Sequence, residues 1–180
     1  MDNNHYPLFV QLSIRLMHAI RLEHDALHFS ASHFITFGTP EKVEALHGHN
    51  FRIRAMLAGP QNQRNYVADF LIAFDCLKKV CEMLSHKVLL PRDHPYINFR
   101  ITGDVIDISL PPLRWSFPKD DTITLPIRNT TTESLAEYTA TLFRELLEEE
   151  KAFEFPSNQY RITIELEESP GMWAVYSEEN

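Results

Sequence analysis

His47-Gly48-His49-Asn50-Phe51-Arg52-Ile53-Arg54-Ala55-Met56-Leu57 largely alternates apolar and polar residues, the period-two pattern of a half-buried β-strand. Alternation puts His47, His49, Phe51, Ile53, Ala55 and Leu57 on one face, and Gly48 adds no bulk to the other. The run Leu27-His28-Phe29-Ser30-Ala31-Ser32 alternates as well. It carries His33 to the end of an adjacent antiparallel strand, facing the pair. Zinc favours nitrogen and sulfur ligands, and a catalytic zinc takes three protein ligands and keeps one position open. An isolated H-x-H is commonly only a strand with two histidines. A third imidazole at the facing strand end makes His33, His47 and His49 a candidate ligand set.

Size and composition set the bounds. The 180 residues suffice for one domain with its own core. No run of about 18 apolar residues exists, so no membrane span is expected. Met1-Asp-Asn-Asn-His-Tyr-Pro-Leu lacks a positive n-region, and Arg15 and Arg21 interrupt the apolar residues that follow; no signal peptide is expected. The net charge of −8 argues against a general nucleic-acid binder. Cys76 and Cys81, five apart on a helix, point away from each other. Free thiols suit a reducing compartment, hence the cytoplasm.

Along the chain, residues 1–24 read as an N-terminal extension packed on a single domain of residues 25–180. Within it, Leu8 to Met17 fits either a short helix or a strand. Strands are expected over 26–37 and 46–58, followed by a turn at Gly59-Pro60. A helix over 69–85 has Phe70, Phe74, Leu77, Val80, Cys81 and Leu84 at helical spacing, with Asp69 at its N-terminal turn. Ile97–Thr102 and Val105–Leu110, joined by Gly103-Asp104, read as an inserted β-hairpin. Thr130-Thr-Thr-Glu133 has capping-box spacing and opens a second helix with Leu135, Thr139, Leu142, Phe143 and Leu146 on one face. Strands over 160–168 and 173–176 close the chain. This order predicts an α+β fold, an antiparallel sheet with helices on one face. Ile162, Ile164, Leu166 and Glu168 share a face of the penultimate strand, while Glu165 and Glu167 are expected in solvent on the other.

The stretch Phe29-Ser-Ala-Ser-His33-Phe-Ile-Thr-Phe37, followed by Glu44-Ala-Leu-His47-Gly-His49-Asn-Phe51, resembles the 6-pyruvoyl-tetrahydropterin synthase family. The resemblance implies that His33, His47 and His49 bind zinc. It also implies the tunnelling fold, a ββααββ unit whose sheets join edge to edge into a barrel, with two trimers stacked as a homohexamer. The family's usual base is a cysteine a few residues before H-G-H; here the close-spaced position is Val43, and Glu44 follows. Glu44-Ala-Leu-His47-Gly-His49-Asn resembles the type III variant, in which glutamate takes over from cysteine. Leu84-Ser-His86-Lys-Val-Leu-Leu-Pro91, Trp115-Ser-Phe-Pro-Lys-Asp-Asp, Leu125-Pro-Ile and Glu168-Ser-Pro extend the likeness over residues 25–178.

The resemblance further implies roles for single residues. Glu44 is the expected base and His86 its proton-transfer partner, with Ser85 where the family has an aspartate; Asp93-His94 is a second place for such a histidine. Glu168 is expected to anchor a pterin, and Thr131 and Thr132 to touch it besides capping a helix. Lys42, Arg52, Lys87 and Arg128 are candidate triphosphate contacts. The implied activity is a zinc-dependent lyase that converts 7,8-dihydroneopterin triphosphate to 6-hydroxymethyl-7,8-dihydropterin for folate biosynthesis. The alternatives are a 6-pyruvoyl- or 6-carboxy-tetrahydropterin synthase, or a non-catalytic pterin-binding homologue. The expected partners are a small-molecule pterin and further copies of this chain.

Overall fold

The structure is a computed structural model that describes residues 18–38 and 42–178; most of the expected N-terminal extension lies outside the described residues. In chain order the elements are β1 (His18–Leu22), β2 (His28–His33), β3 (His47–Gly59), α1 (Phe70–Leu84), β4 (Lys87–Pro91), β5 (Asn98–Thr102), β6 (Val105–Leu110), β7 (Leu113–Pro118), β8 (Thr122–Leu125), α2 (Thr132–Glu149), β9 (Arg161–Ser169) and β10 (Met172–Ser177). The main sheet runs β10-β9-β3-β2-β4-β8, and β1 also pairs with β3. β1 and β2 lie antiparallel to successive parts of β3, with Leu22 opposite Ala55 and His28 opposite Arg52. They form one line along β3, interrupted by the turn at 23–27. Residues 18–22 thus belong to the sheet.

Both helices cover the face that alternation assigned to the core. Phe29, Phe51, Ile53 and Leu57 from the strands meet Leu77 and Val80 of α1 and Phe143 of α2, all buried. Asp69 caps α1, its carboxylate accepting N–H bonds from Leu71 (2.8 Å) and Ile72 (3.3 Å), a cap that contributes about 1 kcal/mol. Past α1, His86 adopts φ 59° and donates its backbone N–H to the Ser30 carbonyl at 2.6 Å. The chain thereby reverses from the helix onto the edge of β2.

Three expectations need correction. First, the main sheet is mixed: β4 runs parallel to β2, with Ala31 opposite Lys87, and β8 runs parallel to β4. α1 is the crossover that a parallel return requires. The short apolar run Val88-Leu89-Leu90 does not alternate, so period two could not reveal it. Second, the insertion is a separate three-stranded sheet, β5-β6-β7, rather than a hairpin. It has its own core, in which Phe34, Leu90, Ile97, Ile106, Ile108 and Leu110 are buried and Val43 and Leu46 pack alongside. Trp115 of β7 stacks on Phe34 at 4.8 Å and 15°. Third, the capping-box spacing that starts at Thr130 is off by one: the cap of α2 is Thr131, a residue expected to cap, which accepts from the Ser134 N–H. The Thr130 hydroxyl instead donates to the Phe34 carbonyl at 2.6 Å, a buried acceptor that would otherwise lack a partner.

Candidate active site

Antiparallel pairing sets His33 opposite His47 and Ala31 opposite His49. The three imidazoles converge on the same face. Their ring centroids lie 4.7 Å (His33–His47), 5.3 Å (His33–His49) and 4.7 Å (His47–His49) apart, with one nitrogen from each within 4.8 Å of the others. Gly48 between His47 and His49 sits close to the neighbouring strand: a Cβ there would stand 3.3 Å from Ser32 Oγ and 3.4 Å from the Ala31 carbonyl.

The hydrogen bonds prepare these rings for a cation. His33 is fully buried, and its Nδ1–H donates to the Thr130 carbonyl at 2.8 Å. His47 Nδ1–H donates to the Ala45 carbonyl at 2.7 Å. A carbonyl only accepts, so both rings keep their proton on Nδ1 and offer a bare Nε2. Burial holds the His33 pKa below its ordinary value, which keeps the ring neutral, as a metal ligand must be. Its Nε2 has no hydrogen-bond partner, and neither does the buried Glu168 Oε1 that faces it at 3.4 Å. The same oxygen lies 4.0 Å from His49 Nε2. Lone pairs thus face one another in a buried space, an arrangement that costs free energy unless a positive centre sits among them. The donor set fits a divalent metal held by three nitrogens.

Glu44 approaches from the loop between β2 and β3, with its Oε1 3.8 Å from His47 Nε2. The loop's legs form a small hairpin. Phe37 N–H donates to the Lys42 carbonyl and Glu44 N–H to the Ile35 carbonyl, both at 2.8 Å, with Thr36 bridged to Val43. Neither cysteine is near: both lie buried in α1, facing the main core. Burial pushes the Cys81 thiol up to about 12 and raises that of Cys76, so neither supplies a thiolate at neutral pH.

A pocket between the start of α2 and the β9–β10 turn is lined by Thr132, Glu133, Glu168, Gly171, Met172 and Trp173. Thr132 and Glu168 therefore share one cavity, and Glu168 also reaches the histidines through its Oε1. The Thr131 hydroxyl is engaged in capping. Glu133 was missed from sequence; its place in the capping-box motif, one residue past Thr132, was the available signal. Glu167, expected in solvent, is buried. It accepts the Gly171 N–H at 2.7 Å and pairs with Arg52 at 3.5 Å, closing the turn beside Glu168. Glu165 is also engaged, with Arg21 at 3.1 Å.

His86 is not brought to this cluster. It lines a groove with Ser30, Ser32, Gly48, Asn50 and also His49, but it makes no ring contact with any of the three histidines. Lys87 lines the same groove and donates to the Asp120 carbonyl. Arg128 lies in another groove, along α2 with Tyr138, whereas Lys42 belongs to the hairpin that bears Glu44. His94 is bound to Thr36 rather than to any metal-site residue.

Known proteins point the same way. The family described as 6-pyruvoyl tetrahydropterin synthase matches residues 24–179. A Methanocaldococcus jannaschii protein, named provisionally as a 6-carboxy-5,6,7,8-tetrahydropterin synthase, is 32% identical over 154 residues, 85% of this chain and 91% of that one. The crystal structure of Plasmodium vivax 6-pyruvoyltetrahydropterin synthase is similar with a TM-score of 0.80 and 27% identity, covering 92% of this chain and all of that one. A variant of the Plasmodium protein, with a glutamate described as its catalytic residue replaced by alanine, gives a TM-score of 0.81 at 26% identity over the same shares. With the tunnelling-type fold shared and nearly the whole described chain matched, this protein belongs to the 6-pyruvoyl tetrahydropterin synthase family.

Proposed function

We propose that this protein is a zinc-dependent lyase that cleaves 7,8-dihydroneopterin triphosphate to 6-hydroxymethyl-7,8-dihydropterin, a folate precursor. The observation that carries this reading is the Glu44 carboxylate beside His47, with both thiols of the chain buried elsewhere. Zinc held by His33, His47 and His49 would act as a Lewis acid that lowers the pKa of a substrate hydroxyl. Glu168 accepts two N–H bonds from the amino-pyrimidinone edge of the pterin, a directional charge-assisted contact, and Thr132 and Glu133 wall the pocket. Glu44 takes the proton from the C2′ hydroxyl. The C2′–O bond becomes a carbonyl, the C1′–C2′ bond breaks, and its electron pair passes through C1′ into the ring. A proton delivered to C1′ completes 6-hydroxymethyl-7,8-dihydropterin, and a two-carbon aldehyde leaves with the triphosphate.

His86 is the proton-transfer partner in this reading. Because it lies apart from the three-histidine cluster, in a groove at the β2 edge, it would serve the site of a second copy in a homo-oligomer, the hexamer that the family resemblance implies. The 32% identity to a protein named for 6-carboxytetrahydropterin favours a second reading, in which the product carries a carboxylate.

Product identification separates the two. Purified, metal-loaded protein given 7,8-dihydroneopterin triphosphate is expected to yield the mass of 6-hydroxymethyl-7,8-dihydropterin. A carboxy- or pyruvoyl-pterin alone would overturn the folate assignment. Glu44→Gln should lower turnover by about 10²–10⁴-fold with metal content unchanged, and unchanged turnover would remove Glu44 from the mechanism.

A further inference from the structure

The legs of the Glu44 hairpin are gripped at one residue, Thr36. Its backbone N–H donates to Asn129 Oδ1 at 3.2 Å, and Asn129 Nδ2 donates back to the Thr36 carbonyl at 2.9 Å. The Asn129 amide thus imitates a strand partner. On its side chain, Thr36 Oγ1 lies 2.8 Å from His94 Nε2. The Tyr96 backbone N–H donates to His94 Nδ1 at 3.1 Å. A backbone N–H only donates, so Nδ1 is bare and Nε2 carries the hydrogen that Thr36 accepts. Both side chains are buried, and a buried ring with both nitrogens satisfied has a single orientation.

His94 hangs from a rigid edge. Arg92 N–H donates to the Leu125 carbonyl at 2.8 Å and Asp93 N–H to the Ile127 carbonyl at 3.1 Å, tying the turn after β4 to the end of β8. Thr36 in turn bridges to Val43, the residue before Glu44, and the Glu44 N–H bonds the next residue back, Ile35. A shift at Thr36 is therefore a shift at Glu44. Among the described residues, no hydrogen bond, ion pair or ring contact joins His94 to Glu44 or to the three histidines, so it influences the chemistry through the hairpin.

We propose that His94, acting through Thr36, is a positioning residue that sets the place of the Glu44 carboxylate over the metal ligands. This rests on the reading of Glu44 as the base. An ordinary core histidine would serve stability alone; this one fixes the leg opposite Glu44 from the far side of the fold.

A double-mutant cycle tests it. In His94→Asn, the shorter side chain still offers Oδ1 to the Tyr96 N–H but no longer reaches Thr36. The metal-loaded variant should lose about tenfold in kcat, as expected for a misplaced catalytic group, with KM and metal content unchanged. In the Glu44→Gln background the same substitution should change nothing. His94→Gln, which restores a donor at the Nε2 position, should recover most of the loss. Thr36→Val should repeat the result and replaces His94→Asn if that variant does not fold. An equal kcat loss with and without Glu44, or no loss, overturns the proposal while leaving Glu44 as base. Full turnover in Glu44→Gln alone overturns the base assignment, and this proposal with it.

Discussion

The three clustered histidines and the Glu44 carboxylate stand side by side but are held by different means. His33, His47 and His49 sit on paired strands β2 and β3, over the main core, where the ladder itself sets their spacing. Glu44 sits on the hairpin between those strands, whose flanks Phe34, Val43 and Leu46 pack into the second core made by the inserted sheet. The three histidines are placed by backbone hydrogen bonds, and Glu44 by side-chain packing and the Thr36 grip. Strand pairing is hard to perturb by one substitution, whereas a packed loop shifts when one neighbour is lost. The comparison therefore separates substitutions that remove the metal from substitutions that move the base.

The sharpest break is at the ligands. His49→Ala removes one of three nitrogens, and metal content by elemental analysis should fall severalfold or more, with turnover at background, while the metal-free fold persists. Next comes the second core. Trp115→Ala deletes the ring stacked on Phe34 and should destabilise the protein by about 2–4 kcal/mol. It should also lower kcat at temperatures where the protein is still folded, with metal content unchanged. Phe143→Leu, on the core-facing side of α2, should lower the melting temperature without that kcat loss.

The smallest effect is in the pH dependence of the metal-free protein. Burial lowers the folded-state pKa of both His33 and His94, and the nearby Arg128 charge lowers that of His94 further. The unfolded chain takes up their protons near pH 6.5, where the folded chain does not. Stability is thus fully present above about pH 6.5 and lost as pH falls below it, with a slope of at most about 1.4 kcal/mol per pH unit for each histidine. Melting temperatures at pH 7.5 and 5.5 should show the drop, and His94→Asn should flatten it.

Much of this was legible in the sequence, for physical reasons. Alternation found β2, β3 and β9, because one face of each is buried. Helical spacing and a capping aspartate placed α1 to within a residue. What escaped was structure without periodicity. β4 is a short apolar run stopped by a proline, and β7 gave no sign that it pairs with β6. At the site, the three-histidine convergence followed from strand alternation and pairing, and the structure sets Glu44 beside His47. The burial of Glu167 and the place of Glu133 depend on how the β9–β10 turn meets α2, and no local pattern records that. His86 is the instructive case. Its position after α1 was readable, but the groove it lines depends on how the chain reverses at that residue, where φ is positive.

If the proposed roles of the three histidines and Glu44 hold, the absence of sulfur among them has a consequence for oxidative stress. A thiolate base is the first group that peroxide converts to sulfenic acid and beyond, and a carboxylate offers no such rung. With both cysteines shielded inside α1, turnover should survive a peroxide dose that silences a cysteine-based counterpart, and no reductant would be needed to bring it back.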